Sequence, residues 1–97
     1  MALTLDHDAI AVLCRRHRVT RLTVFGSATT ADFDPRRSDV DFLAEFTSDA
    51  GLSDYFGLKA DLEELLGRPV DLVSPRALEN PFFAATARET AEDVYAA

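Results

Sequence analysis

Residues 21–46, which read RLTVFGSATTADFDPRRSDVDFLAEF, decide the fold of this chain. Residues 21–25 are rich in β-branched and aromatic side chains and stop at Gly26-Ser27, which predicts a strand that ends in a turn. Residues 39–46 alternate polar with apolar side chains and predict a second strand. Its predicted outer face carries Asp39, Asp41 and Glu45, and its predicted core face carries Val40, Phe42 and Leu43.

The flanking sequence adds helices and one more strand to these two strands. The further predicted elements are a helix capped by Asp6 and ending near Arg18, a helix from about Leu52 to Leu66 closed by Gly67, a strand over Val70–Val73, and a helix from Asn80-Pro81 to about Tyr95. The order α-β-β-α-β-α predicts an α/β (α+β) fold in which a small mixed sheet is flanked by helices. We expect residues 1–97 to form a single domain.

Composition excludes several classes of protein. Ten Lys and Arg against seventeen Asp and Glu give a net charge of −7, which repels a polyanion, so direct binding of nucleic acid is not expected. The single cysteine, Cys14, cannot form an internal disulfide and suits a reducing compartment. The N-terminus lacks the pattern of a signal peptide, and no apolar run is long enough to cross a membrane. We therefore expect a cytoplasmic protein.

Three aspartates lie inside predicted strands, where this residue type is disfavoured. Asp39 and Asp41 are two residues apart on one face, which places their side chains about 6.6 to 7 Å apart along the strand. Divalent metal ions take oxygen ligands and would offset the repulsion between such carboxylates. Asp71 would complete the site if its strand pairs beside the second one. The alternative is that these residues line a solvated face or pair with nearby arginines.

Gly26 and Ser27 are candidates for binding phosphate. A strand that ends in Gly-Ser and leads into a helical turn presents backbone N–H groups and a hydroxyl, which together suit a phosphate group. The dipeptide alone is an ordinary turn. Its combination with the D-x-D pattern of the next strand is what points to nucleotide chemistry.

Two stretches carry a resemblance to a known family. The run FGSATTADFDPRRSDVDFLAEF, with Gly26-Ser27, eleven residues and then D-x-D, resembles the nucleotidyltransferase superfamily of DNA polymerase beta type. The later run LEELLGRPVDLVSPRAL resembles the minimal nucleotidyltransferase (MNT) antitoxins, which pair with HEPN toxins. The chain departs from that branch at residues 28–31, where Ala and Thr replace an Arg- and Gly-containing stretch, and the spacing to Asp39 is one residue longer.

The resemblance implies an adenylyltransferase that uses MgATP to place AMP on a tyrosine of a HEPN ribonuclease toxin and so neutralises it. It implies that Gly26 and Ser27 bind the triphosphate and that Asp39 and Asp41 ligate Mg²⁺. Asp71 would ligate the metal and act as general base toward the acceptor hydroxyl. A complex with the toxin protein is expected.

Two other functions remain open at this point. One is an antitoxin without catalysis that inhibits its toxin by direct binding, in which case Asp39 and Asp41 would not be needed for neutralisation. The other is transfer to a small molecule, as in aminoglycoside adenylyltransferases, which generally bring an extra domain to hold the substrate. The charge of −7 suits both the enzyme and the binding antitoxin, so the need for Asp39 and Asp41 decides between these two.

Overall fold

The computed structural model of the protein describes residues 5–25, 40–81, 84–85 and 91–97. Within these ranges the elements follow the order helix, strand, strand, helix, strand, 3-10 helix, strand. They are α1 (His7–Arg16), β1 (Val19–Phe25), β2 (Val40–Phe46), α2 (Leu52–Leu66), β3 (Val70–Val73), the 3-10 helix (Pro75–Glu79) and β4 (Glu92–Ala96).

Two predicted helix ends, the start of α1 and the end of α2, are confirmed by their local chemistry. Asp6 caps α1, since its carboxylate accepts a hydrogen bond from the backbone N–H of Ala9 at 3.0 Å. Gly67 ends α2 in the left-handed conformation, with φ of 67°, and its N–H donates to the carbonyl of Glu63 at 2.8 Å. In the described part of the chain, no helix is both long and apolar enough to span a membrane.

The strands form one mixed four-stranded sheet in the order β3-β2-β1-β4. β1 pairs antiparallel with both β2 and β4, whereas β2 and β3 are parallel and are connected through α2. A parallel pair needs such a crossover, because the chain must return to the end of the sheet where the first strand began. The sheet therefore places β3, with Asp71, directly beside β2.

Both helices cover the same face of the sheet, and the core lies between them. The strand side chains packed there are Leu22, Val24, Val40, Phe42, Ala44, Val70, Leu72 and Val94, and the helix side chains are Ile10, Cys14, Leu58 and Leu62. We call the opposite face of the sheet the outer face. Leu43 was predicted to face the core, but it is only partly buried and lies on the outer face with Asp41, because successive side chains of a strand point to opposite sides.

The end of the chain differs from the prediction. Residues 81, 84 and 85 are helical, and the Ala84 N–H donates to the Asn80 carbonyl at 2.9 Å, as the Asn-Pro signal predicts. The helix does not continue to Tyr95, however, because Glu92–Ala96 is the strand β4. β4 occupies the edge of β1 that β2 leaves open, and so satisfies backbone groups of a strand whose side chains are largely buried. The spacing of the predicted last helix put Phe83, Ala87 and Thr90 on its inward side, and these positions lie outside the described residues.

Candidate active site

The pairing of β2 with β3 brings Asp41 and Asp71 together. The two residues are direct register partners across the parallel pair. Their strand neighbours Val40, Phe42 and Leu72 are buried in the core, so both carboxylates lie on the outer face. Neighbouring strands lie roughly 4.8 Å apart, which makes these side chains adjacent. The condition under which Asp71 could join the site, that its strand pairs beside the second strand, is met.

The predicted phosphate-binding residues, Gly26 and Ser27, follow a residue that is paired with Asp41. On the other side of β2, Phe25 of β1 is the register partner of Asp41. Phe25 is the last residue of β1, and Gly26-Ser27 follows it in the sequence, while Asp39 directly precedes β2. Gly26, Ser27 and Asp39 lie outside the described residues. Residues 26–39 are therefore preceded and followed by residues that lie next to Asp41, namely Phe25 and Val40.

The donor set at this position fits a hard divalent cation. Asp41 is partly buried and Asp71 is exposed, and two adjacent carboxylates repel unless a cation or a proton lies between them. Mg²⁺ in nucleotide sites is usually held by one or two carboxylates together with substrate phosphates and water. Within the described ranges no group of three or more His, Cys, Asp or Glu side chains could hold a metal ion. A metal held by this pair would need further oxygen ligands, for which Asp39 and a nucleotide are the candidates.

A second polar cluster lies on the outer face, and its members contact one another. It consists of Arg21, Thr23, Glu45 and Asp93. Arg21 of β1 donates to Asp93 of β4 at 2.9 Å, and the Thr23 hydroxyl donates to the same carboxylate at 2.9 Å. The hydrogen bond from Arg21, followed by that from Thr23, holds the pKa of Asp93 below its usual range. Arg21 also lies 3.9 Å from Glu45 of β2. Sequence reasoning missed this cluster because residues 92–96 were predicted to be helical.

The free edge of β3 receives two side chains from α2. The Val70 N–H donates to the Glu63 carboxylate at 3.1 Å, and the Tyr55 hydroxyl donates to the Leu72 carbonyl at 2.5 Å. Neither contact was predicted from the sequence. The helical spacing in the sequence shows which face of α2 Tyr55 and Glu63 share but not which backbone groups they meet.

Comparison with known proteins identifies the family. The family model for the nucleotidyltransferase domain matches residues 8–94. A Methanocaldococcus jannaschii protein named "Putative protein adenylyltransferase MJ0128" is 32% identical over 78 residues, which cover 80% of this chain and 79% of that protein. A solved structure described as a "putative minimal nucleotidyltransferase" is 38% identical with a TM-score of 0.71, over 87% of this chain and 85% of the other.

A more distant structure shows the same fold. It is a complex of a tri-AMPylated Shewanella oneidensis HEPN toxin with its MNT antitoxin, matched at 17% identity with a TM-score of 0.63 over 94% of this chain and 70% of the other. At that identity the likeness concerns the fold alone. The family match over most of the sequence, the relative above 30% identity and the paired aspartates agree, and this chain belongs to the nucleotidyltransferase domain family.

Proposed function

We propose that this chain is an antitoxin enzyme that transfers AMP from MgATP to a tyrosine hydroxyl of a HEPN-type ribonuclease toxin and thereby neutralises it. The observation that carries the proposal is the register pairing of Asp41 with Asp71 on the outer face of the sheet, opposite α1 and α2. The adenylyltransferase name of one relative and the AMPylated HEPN toxin bound to a structural neighbour support the choice of group and acceptor.

The metal would be held by carboxylates of two adjacent strands. Asp41 and Asp71 provide oxygen atoms from β2 and β3, and Asp39 is the third ligand that we propose from the sequence. When bound, Mg²⁺ would neutralise charge on the triphosphate and orient its α-phosphate. Gly26 and Ser27 would bind the triphosphate from the stretch that follows β1. Because Phe25 is the register partner of Asp41, that stretch begins beside the proposed metal ligands.

The transfer step requires one bond to form and one to break. The tyrosine oxygen of the toxin attacks the α-phosphorus of ATP, and the bond between that phosphorus and the oxygen bridging to the β-phosphate breaks, so that pyrophosphate leaves with the electron pair. The hydroxyl proton passes to Asp71, which acts as general base. Asp71 is exposed, which lets a side chain on another protein approach it, whereas Asp41 is partly buried.

The test measures transfer of label from ATP to the toxin partner. The protein is incubated with its HEPN-type partner, MgCl₂ and ATP labelled on the α-phosphate, and the variants Asp41→Asn and Asp71→Asn are compared with the wild type. We expect each variant to lower the rate roughly 100-fold or more, since each removes a charge that stabilises the transition state or accepts a proton. Glu45→Gln is the matched control, because Glu45 lies on the same face of β2 but meets Arg21 rather than Asp71.

Two results would decide against the proposal. If the toxin is inhibited by the wild type without acquiring label, and both aspartate variants still inhibit it, the chain neutralises by binding alone. If Glu45→Gln loses as much activity as Asp41→Asn, the effect comes from charge on the outer face in general and not from the pair. Label on the toxin with the wild type and with Glu45→Gln, but with neither aspartate variant, is the expected result.

A further inference from the structure

β3 is a four-residue strand that carries Asp71, and in the described part of the chain it lies at the edge of the sheet with β2 as its one neighbouring strand. Backbone groups in a parallel ladder point alternately to the two sides of a strand. The Pro69 carbonyl accepts from the Val40 N–H at 3.2 Å, so the groups of Pro69 and Asp71 face β2. The groups of Val70 and Leu72 consequently face the free edge.

Two free-edge groups of the residues that flank Asp71 are bonded to α2. Glu63 accepts from the N–H of the preceding residue, Val70, and Tyr55 donates to the carbonyl of the following residue, Leu72. Lys59, one helical turn before Glu63, lies 3.5 Å from the same carboxylate oxygen. The two contacts have opposite polarity, because Glu63 can only accept from an N–H and Tyr55 here donates to a carbonyl.

This arrangement ties the backbone of β3 to α2 on both sides of Asp71. A shift of one residue would move Asp71 to the core face and would bring Val70 and Leu72 out of the core. The same shift would present Glu63 and Tyr55 with the backbone groups that now face β2. The hydrophobic pattern therefore sets the register, and the contacts of Glu63 and Tyr55 hold the backbone of β3 against α2 in that register.

We infer that Tyr55 and Glu63 are positioning residues for Asp71, acting through the backbone of β3 on either side of it. Neither side chain is assigned contact with substrate or metal. Their consequence for metal binding and transfer rests on the function proposed above, whereas their effect on the β3 backbone does not. The two parts can be tested separately.

The first measurement needs no activity. Amide hydrogen exchange of the Val40 N–H, which bonds to Pro69, is compared by NMR in the wild type, Tyr55→Phe and Glu63→Met. Tyr55→Phe removes one hydroxyl and keeps the ring, and Glu63→Met keeps the length of the side chain and removes the acceptor. We expect Val40 to exchange at least several-fold faster in both variants, with exchange of Leu22 in β1 unchanged. Equal exchange at Val40 in all three proteins would overturn the inference.

The second measurement uses Mn²⁺ as the probe, with binding followed by water proton relaxation at a temperature where every variant is folded. We expect Tyr55→Phe and Glu63→Met to weaken Mn²⁺ binding by roughly 10-fold, the size typical for residues that support metal ligands. Glu63→Gln should restore most of the affinity, since its amide oxygen can still accept from Val70. Tyr95→Phe is the control for loss of a tyrosine hydroxyl in β4, at the other edge of the sheet.

A variant that lacks the Asp71 carboxylate separates positioning from general stability. In an Asp71→Ala background, Tyr55→Phe should cause no further loss of Mn²⁺ affinity, because the oxygen ligand that it positions is gone. A full 10-fold loss in that background would overturn the inference. If the wild type itself binds no Mn²⁺ and transfers no AMP, the proposed function fails, and the exchange of Val40 still decides whether Tyr55 and Glu63 hold β3.

Discussion

Among the described glycines, Gly57 of α2 has the least room for a side chain. A Cβ atom on Gly57 of α2 would lie 2.6 Å from Cε1 of His17 and 3.0 Å from its Nδ1. The His17 ring is held in place, because its Nε2 lies 2.6 Å from the Asp61 carboxylate one turn further along α2 and its side chain is 13% exposed. We predict that Gly57→Ala destabilises the protein by displacing this ring.

The magnitude follows from opposing terms. Alanine in a helix interior is favoured over glycine by about 0.5–1 kcal/mol. Forcing extra volume into a packed contact costs about 1–3 kcal/mol, and losing a hydrogen bond to a charged group costs about 1.5–3 kcal/mol before any discount for exposure. Asp61 is 26% exposed and also bonded to Arg16, so only part of that bond energy is lost. We expect a net loss of about 1–2 kcal/mol, with a fall in Tm of about 4–8 °C per kcal/mol.

The assay is urea and thermal unfolding of Gly57→Ala, His17→Ala and the double variant. In the His17→Ala background the steric conflict is absent, so Gly57→Ala should stabilise the protein by about 0.5–1 kcal/mol, which reverses its sign. A Gly57→Ala variant more stable than the wild type would refute the steric argument. The same destabilisation with and without the His17 ring would show that another contact is responsible.

Three further predictions concern other parts of the molecule. Asp93 has a lowered pKa owing to Arg21 and Thr23, so it adds stability above about pH 4 that is lost as the pH falls through the lowered value. Asp93→Asn should therefore lose less stability than the wild type between about pH 5 and pH 2 in urea titrations, and an equal loss would contradict this. Burial raises the pKa of Cys14 to about 12, so an aromatic disulfide reagent at pH 8 should label it only as fast as the protein opens; prompt labelling without urea would disagree. Leu58→Ala, which empties a fully buried position, should cost about 2–5 kcal/mol of unfolding free energy, and a loss under about 1 kcal/mol would mean that the core refills the cavity.

Local chemistry in the sequence was sufficient for the helix ends and for the alternation of the strands. Asp6 before α1 and Gly67 after α2 are signals that act over three or four residues, so they are readable without the rest of the fold. The shared face of Asp39 and Asp41 follows from the two-residue period of any strand. The same rule already assigned Leu43 to the outer face, and its prediction as a core residue was an error of pattern rather than of missing information.

The C-terminal strand was decided by the tertiary structure. Asn80-Pro81 correctly predicted a helix start, but nothing near residues 92–96 indicates that a helix cannot continue. β4 forms because β2 leaves the other edge of β1 open, and because Asp93 accepts hydrogen bonds from its register partner Thr23 and from Arg21. Those partners are 72 and 70 residues away in the chain, which is beyond the reach of any local signal.

The sequence by itself determined the family, the candidate aspartates and the face on which neighbours in one strand must lie. It did so because D-x-D and Gly-Ser are short patterns whose geometry is set by the backbone. Only the tertiary structure decided that Asp71 stands opposite Asp41, since this requires β3 to return parallel to β2 in one register out of several. The contacts of Tyr55 and Glu63 with the edge of β3 were also decided by the tertiary structure. Hydrogen bonds between a helix side chain and a strand backbone exist only once the two elements are packed together.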